Sequence, residues 1–162
     1  MADVLILPET QERSTRFEAL IPQLRALVGA EPDPVANMAN VAAVLKEAFG
    51  WHWVGFYRVV GEELVLGPFQ GPLACTRITF GKGVCGTAWK EDRTVLVPDV
   101  DRFPGHIACS ALSRSEIVVP IHDGTDRVVA VLDIDSVVLA DFTDQDRKHL
   151  EEIGTLLDKL FA

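Results

Sequence analysis

Three cysteines, Cys75, Cys85 and Cys109, are the residues of this chain with the widest range of chemistry. A thiolate can attack an electrophile, exchange with a disulfide or bind a metal ion. Three is an odd number and a sparse one for 162 residues, so the cysteines do not form the disulfide framework of a small secreted protein. They indicate thiol–disulfide exchange in a reducing compartment, the cytoplasm, where disulfides are usually transient.

Cys85 lies in the segment GKGVCGTAW, a glycine-rich turn that opens a short helix. A helix N-terminus lowers the pKa of a nearby thiol, which would make Cys85 reactive. The backbone N–H groups of the same turn could instead hold the carboxylate of a substrate. The residues alone leave both interpretations open.

Structural zinc is an alternative use of the same thiols. Cys75, Cys85, Cys109 and His106 complete a Cys₃His set by count. Only His106 and Cys109 have the close spacing of zinc ligands, and the chain contains no CxxC pair. We therefore expect no metal site, and thiol chemistry is the favoured hypothesis.

Acidic residues form a second group. Asp133 and Asp135 alternate with Leu132 and Ile134 in VLDIDS, so both carboxylates leave the same face of one strand. Two like charges on one face favour a bound cation or a shared proton, and Glu116, on the strand expected to pair with this one, could join them. The alternative is a solvated sheet face with aspartates at a strand end.

Trp53 and Tyr57 share one face of another strand pattern, with Gly55 between them. The glycine predicts a gap beside two aromatic rings. An apolar slot next to carboxylates and thiols suits a small amphoteric ligand with a sulfur-bearing side chain.

Helices are predicted at both ends of the chain. The first spans residues 12–28 and should kink or restart at Pro22. The second begins after the cap Asp33 and ends before Gly50. The last begins at a capping box around Thr143 and continues to the end of the chain.

Strands are predicted between these helices, at residues 52–60, 64–66, 76–79, 94–97, 116–121 and 127–135. The remainder of 67–86, apart from the short helix, and the segment 98–113 are predicted to be loops. The expected fold class is α+β: a central antiparallel sheet, with helices packed on one face and long loops covering a ligand cavity on the other.

Charge and hydropathy exclude several classes of partner. The net charge of −9 argues against nucleic acid and against anionic membranes, because both attract clustered lysine and arginine. No apolar run reaches the length of a membrane span.

A family resemblance is carried by GPFQG at 67–71, LACTRI around Cys75, GKGVCGTAW around Cys85, FPGHIACSALSRSEIVVP at 103–120 and VLDIDS ending at Ser136. These motifs resemble the free methionine-(R)-sulfoxide reductases, which are stand-alone GAF-domain enzymes. The resemblance implies one GAF domain over residues 1–162, with residues 1–11 as a flexible N-terminus.

The resemblance also implies roles for the cysteines. Cys109 would attack the sulfoxide sulfur and become a sulfenic acid, and Cys75 would condense with it to a disulfide. Cys85 would be an alternative or relay thiol. The implied reductant is thioredoxin, supplied by NADPH through thioredoxin reductase, in a homodimer with no bound cofactor.

The substrate-binding residues implied by the family are Glu116, Asp133 and Asp135 for the amino group and the departing oxygen, and Trp53 and Tyr57 for the methyl-sulfur end. Crowded carboxyls supply a proton near neutral pH, and their remaining charge favours a free ammonium over a peptide-bound residue. The alternative hypothesis is a GAF-type small-molecule or redox sensor without turnover.

Overall fold

The computed structural model describes residues 4–107 and 109–161. Within these residues the chain forms four α-helices and six strands. The helices are α1 (Arg13–Ala30), α2 (Pro34–Phe49), α3 (Gly83–Glu91) and α4 (Asp144–Asp158). The strands are β1 (Trp53–Val60), β2 (Glu63–Gln70), β3 (Arg77–Thr79), β4 (Val95–Val97), β5 (Ser115–His122) and β6 (Val128–Ser136).

The termini of α2 and α4 follow from their capping residues. The Asp33 side chain accepts a hydrogen bond from the Ala36 N–H, and Gly50 ends α2 in the left-handed conformation at φ +68°. Thr143 and Asp146 form the predicted capping box of α4. Both helices therefore begin where the sequence predicts.

Helix α1 passes through Pro22 without interruption, so the predicted restart does not occur. Proline removes one helical hydrogen bond. The buried residues on either side, Ile21 and Leu24, pack in the core and hold the backbone helical.

The strands form one antiparallel sheet in the order β3-β2-β1-β6-β5-β4. Strands β1 and β6 are its centre. Their register places Trp53 opposite Asp135 and Gly55 opposite Asp133, while β5 places Glu116 opposite Asp135 from the other side. The register brings three of the predicted site residues, Trp53, Asp135 and Glu116, into one row across the sheet.

Strand β2 is longer than predicted, because residues 67–70 are strand rather than loop. The pairing steps from Gly55↔Phe69 to Tyr57↔Leu66, so β2 carries one extra residue around Gly67 and Pro68. A bulge accommodates a proline in a strand, since the missing N–H falls where the ladder is already interrupted.

Each face of the sheet packs against its own hydrophobic core. Helices α1, α2 and α4 cover the face that carries Leu132 and Ile134. The opposite face, with Trp53 and Val118, is covered by α3 and the long loops. The fold is thus the predicted α+β arrangement, and the short α3 joins the loops on the site face.

Residues 4–11 contain no helix or strand, and Leu5 and Leu7 pack against the core. The flexibility of the N-terminus stays a prediction. No helix in the described part of the chain is both long and apolar enough to cross a membrane.

Candidate active site

Glu116 of β5 and Asp133 and Asp135 of β6 lie on the sheet face that α3 and the loops cover, as the alternation in VLDIDS predicts. Glu116 and Asp133 are both 6% exposed. Burial raises the pKa of each well above its ordinary value, and the charges of neighbouring carboxylates add to the effect. The solvated sheet face that the sequence left open is therefore wrong for Glu116 and Asp133.

Asp135 has the least perturbed carboxyl of the three. Burial raises its pKa to about 6, while its contact with the Ser113 side chain and the charge of His106 act in the opposite direction. A group with this pKa can release or accept a proton near neutrality.

Cys85 lies in the first turn of α3 and is 3% exposed. Its Sγ and a carboxylate oxygen from each of Glu116 and Asp133 all lie within 4.8 Å of one another. Burial and these two carboxylates raise the pKa of the Cys85 thiol well above its ordinary value. The predicted lowering by the helix N-terminus is therefore wrong, because desolvation and like charge outweigh the helix dipole.

The aromatic wall is built by Trp53, Tyr57 and Phe69. The Trp53 ring stacks on Tyr57 at 5.9 Å and on Phe69 at 5.3 Å between ring centroids. A Cβ on Gly55 would lie 2.4 Å from Cη2 of Trp53. The space beside Gly55 thus holds the indole itself, so the predicted ligand gap at that position is wrong.

Trp53 and Tyr57 also donate hydrogen bonds to the loop that follows β2. Tyr57 donates its hydroxyl hydrogen to the Cys75 carbonyl oxygen at 2.9 Å, and Trp53 Nε1 donates to the Pro72 carbonyl oxygen at 3.1 Å. Burial, with the nearby carboxylates, raises the pKa of Tyr57, so the phenol stays protonated and remains a donor.

A disulfide joins Cys75 to Cys109, with the two Cα atoms 5.6 Å apart. It links the loop after β2 to the long loop before β5. Cys85 remains a free thiol. Because two of the four groups of the Cys₃His alternative are bonded to each other, this structure does not assemble that zinc set.

A cavity of about 40 Å³ lies between the sheet, α3 and the two disulfide-linked loops. Its lining includes five predicted site residues: Trp53, Cys85, Cys109, Glu116 and Asp135. The other three, Tyr57, Cys75 and Asp133, support these residues without lining the cavity.

His106 and Ser113 also line the cavity. Nε2 of His106 lies 3.6 Å from Oε2 of Glu116, and Ser113 contacts Asp135. The sequence singled out His106 only as a metal ligand and did not identify Ser113. Both lie in the irregular segment before β5, where no periodicity indicates the direction of a side chain.

The GAF domain family model matches residues 33–158. GAF domain-containing protein A of Dictyostelium discoideum is 54% identical over 147 residues, which cover 90% of this chain and 92% of that protein. Free methionine-R-sulfoxide reductase of Escherichia coli is 45% identical, over 85% of this chain and 83% of that enzyme. The chain belongs to the free methionine-R-sulfoxide reductase family of GAF-domain proteins.

A solved structure is also similar over nearly the whole chain. It is free methionine-R-sulfoxide reductase from Neisseria meningitidis in complex with its substrate, 54% identical, with a TM-score of 0.94 over 98% of this chain and 95% of that one. The family resemblance and the single GAF fold expected from the motifs are confirmed.

Proposed function

We propose that this protein reduces free L-methionine-(R)-sulfoxide to L-methionine by thiol–disulfide chemistry. The observation that carries the proposal is the Cys75–Cys109 disulfide beside a cavity lined by Glu116, Asp135 and Trp53. The relatives named as free methionine-R-sulfoxide reductases support the choice of substrate.

The substrate binds to the dithiol form of the enzyme. A cavity of about 40 Å³ admits a few water molecules, at about 10–15 Å³ each, and is too small for an amino acid. Reduction of the disulfide frees the loop that carries Cys109, and its withdrawal enlarges the cavity.

The first chemical step is attack by the Cys109 thiolate on the sulfoxide sulfur. A protonated carboxyl of the Glu116, Asp133 and Asp135 group donates to the sulfoxide oxygen as the sulfur–oxygen bond breaks. The oxygen and its proton end on Cys109 as a sulfenic acid, and methionine leaves with its sulfur reduced.

The second step closes the disulfide. The Cys75 thiol attacks the sulfenic sulfur, a sulfur–sulfur bond forms, and the hydroxyl leaves as water with the proton of the thiol. A thioredoxin dithiol then reduces the disulfide by exchange, with NADPH supplying the electrons through thioredoxin reductase. This cycle needs no bound cofactor, and Cys85 acts as an alternative or relay thiol.

Substrate selection follows from charge. The carboxylates that remain ionised hold the ammonium group of a free amino acid, and Trp53, backed by Tyr57, contacts the methyl-sulfur end. Gly83, Val84 and Cys85 of the first turn of α3 line the cavity, and the N–H groups of this helix N-terminus would take the substrate carboxylate.

We also propose that the protein is a homodimer and that it lies in the cytoplasm. The homodimer is what the family resemblance implies. Light scattering of the purified protein should give twice the mass of one chain, and a monomer would contradict this part of the proposal.

The deciding experiment is NADPH consumption coupled through thioredoxin and its reductase. We expect turnover with free methionine-(R)-sulfoxide and little with the S epimer or a peptide-bound residue. Cys109→Ser should lower the rate by about 10³-fold or more, as expected for loss of a nucleophile. A Cys109→Ser variant that retains the wild-type rate would contradict the assignment, and ligand binding without turnover in the wild type would favour the sensor hypothesis.

A further inference from the structure

The group Cys85, Glu116 and Asp133 brings together three acidic side chains from three separate elements, α3, β5 and β6. All three are at least 94% buried, and one ligand atom from each lies within 4.8 Å of the others. Cys85 takes no part in the disulfide, so its thiol is free to bind a ligand while Cys75 and Cys109 are joined.

A second observation points to a ligand. Oδ1 of Asp133 is buried and has no hydrogen-bond partner among the residues that the structure describes. A buried carboxylate oxygen without a donor costs free energy, so native proteins usually give it a proton, a donor or a cation. Its nearest potential partners, Cys85 and Glu116, are themselves acids, so each can satisfy this oxygen only while it keeps its own proton.

We propose that Cys85, Glu116 and Asp133 bind a thiophilic divalent cation such as Zn²⁺. One thiolate with two carboxylates is a donor set that zinc, cobalt and cadmium accept, whereas Mg²⁺ and Ca²⁺ require oxygen ligands alone. His106, with its Nε2 3.6 Å from Oε2 of Glu116, is placed to supply the fourth ligand of a tetrahedron.

Only small movements of the ligand atoms are needed to bring them to zinc-binding distance. Zinc–ligand bonds of about 2.0–2.3 Å place tetrahedral ligand atoms roughly 3.5 Å apart. The three atoms therefore move inward by about 1 Å, and Nε2 of His106 is already at this spacing from Oε2 of Glu116. The cation enters through the cavity, which Cys85, His106 and Glu116 line, and displaces the protons that the thiol and carboxyls carry.

This site has a functional consequence, which rests on the proposed function. Glu116 and Asp133 belong to the set of three carboxyls whose ionised members we assign to the ammonium group of the substrate. A bound zinc ion neutralises these carboxylates and occupies the place of the ammonium. Zinc therefore inhibits the reductase by competition with free methionine-(R)-sulfoxide, rather than by reaction with Cys75 and Cys109.

Cobalt(II) is the probe for the binding test, because its thiolate complexes absorb in the near ultraviolet. The protein is used in its disulfide form, in which Cys85 is the free thiol of the described chain. We expect one equivalent of Co²⁺ to produce a thiolate-to-cobalt band, and Zn²⁺ to remove that band by displacement.

Variants locate the site. Cys85→Ser should abolish the thiolate-to-cobalt band, and Asp133→Asn should weaken binding by at least about tenfold. The matched control is Glu62→Gln, which removes an exposed carboxyl in the β1–β2 turn, far from the proposed site, and should bind as the wild type does.

If Cys85→Ser does not fold, Glu116→Gln and Asp133→Asn carry the same test. Absence of the band in the wild type, or an unchanged band in Asp133→Asn, would overturn the proposal.

Competition is measured separately on the Cys75→Ser/Cys109→Ser variant, which cannot form the disulfide and keeps Cys85 as its one thiol. Free L-methionine should raise the Co²⁺ concentration needed for half-saturation more than D-methionine does, because the two chelate Co²⁺ equally in solution and only the L form matches the proposed substrate. Cobalt binding with equal effects of L- and D-methionine would overturn the competition but leave the metal site. Cobalt binding in a protein that reduces no sulfoxide would leave the site and refute the proposed function, so the two failures are distinguishable.

Discussion

At the scale of single residues, the buried carboxyls of Glu116, Asp133 and Asp135 would hold the proton of the proposed reaction, and their burial costs stability. Their burial keeps protons bound at a pH where an exposed carboxyl has lost its proton. A folded state that binds more protons than the unfolded chain loses stability as pH rises. The proton that the proposed reaction needs is thus retained at the expense of stability at neutral pH.

The stability of the protein should therefore fall with rising pH. For Asp135 the loss begins near pH 4, where the unfolded carboxyl ionises, and is complete above its folded pKa of about 6. Its size is about 3 kcal/mol at most. Urea unfolding at pH 5 and pH 7.5 measures the change. In Asp135→Asn the free energy of unfolding should change less between the two pH values than in the wild type. The control Glu62→Gln should change as much as the wild type does. A change in Asp135→Asn as large as that of the wild type would contradict this assignment.

Glu116 should control the preference for a free amino acid. In Glu116→Gln we expect the KM for free methionine-(R)-sulfoxide to rise about tenfold or more, because a charge-assisted contact to the ammonium is lost. The KM for the N-acetyl sulfoxide should change little, since that substrate has no ammonium. Coupled assays with both substrates measure the ratio. An equal rise for both would mean that Glu116 supports the fold rather than the ammonium.

At the scale of elements, Gly55 in β1 sets the position of the aromatic wall. The Trp53 ring and Phe69 lie against its backbone, with Cη2 of the indole and Cβ of Phe69 each 2.4 Å from where a Cβ would be. No side chain other than hydrogen fits without moving one of them.

Gly55→Ala should destabilise the protein by about 1–3 kcal/mol, the usual cost of an overpacked core. It should also raise the KM for the sulfoxide, because the displaced indole lines the cavity. The matched control is Gly29→Ala in α1, where nothing lies within 4 Å of the new Cβ. This control should raise the free energy of unfolding by up to about 1 kcal/mol through helix propensity. Thermal unfolding compares the two, and an equally stable Gly55→Ala would refute the argument.

Most elements could be predicted from the sequence because their signals are local. Caps at Asp33 and Thr143 and the alternation in VLDIDS each act within a few residues. The last residues of β2 could not be predicted, because Gly67 and Pro68 have the composition of a loop and become strand only through a bulge against β1. The continuity of α1 through Pro22 could not be predicted either, because it depends on tertiary packing around that helix.

At the scale of the whole molecule, the disulfide joins segments that are 34 residues apart in the chain. It ties the loop after β2 to the loop before β5, and the cavity lies between them. The link also restricts the unfolded chain, so the redox state should change the stability of the entire fold.

Reduction of the Cys75–Cys109 bond should lower the free energy of unfolding by about 2–4 kcal/mol, as the loop-closure entropy of such a link suggests. Guanidinium unfolding with and without dithiothreitol gives the difference. Cys75→Ser should already have the lower stability and should not respond to dithiothreitol. A response in that variant would show that another disulfide had formed.

The candidate site was only partly predictable, since it depends on contacts between distant segments. The alternation of Asp133 and Asp135 identified the correct sheet face. The family resemblance, rather than any spacing, paired Cys75 with Cys109. The location of Cys85 among carboxylates depended on how α3 packs over β5 and β6, and the local signal of a helix N-terminus suggested the opposite pKa shift.

The hydrogen bonds from Tyr57 and Trp53 to main-chain carbonyls of the Cys75 loop have a kinetic consequence. In the proposed cycle they hold Cys75 beside Cys109, so a sulfenic acid on Cys109 would meet the Cys75 thiol at high effective molarity and not by diffusion from solution. Further oxidation by a peroxide is bimolecular, whereas disulfide closure is not. The proposed cycle would therefore pass quickly through the one intermediate that a second oxidation destroys irreversibly.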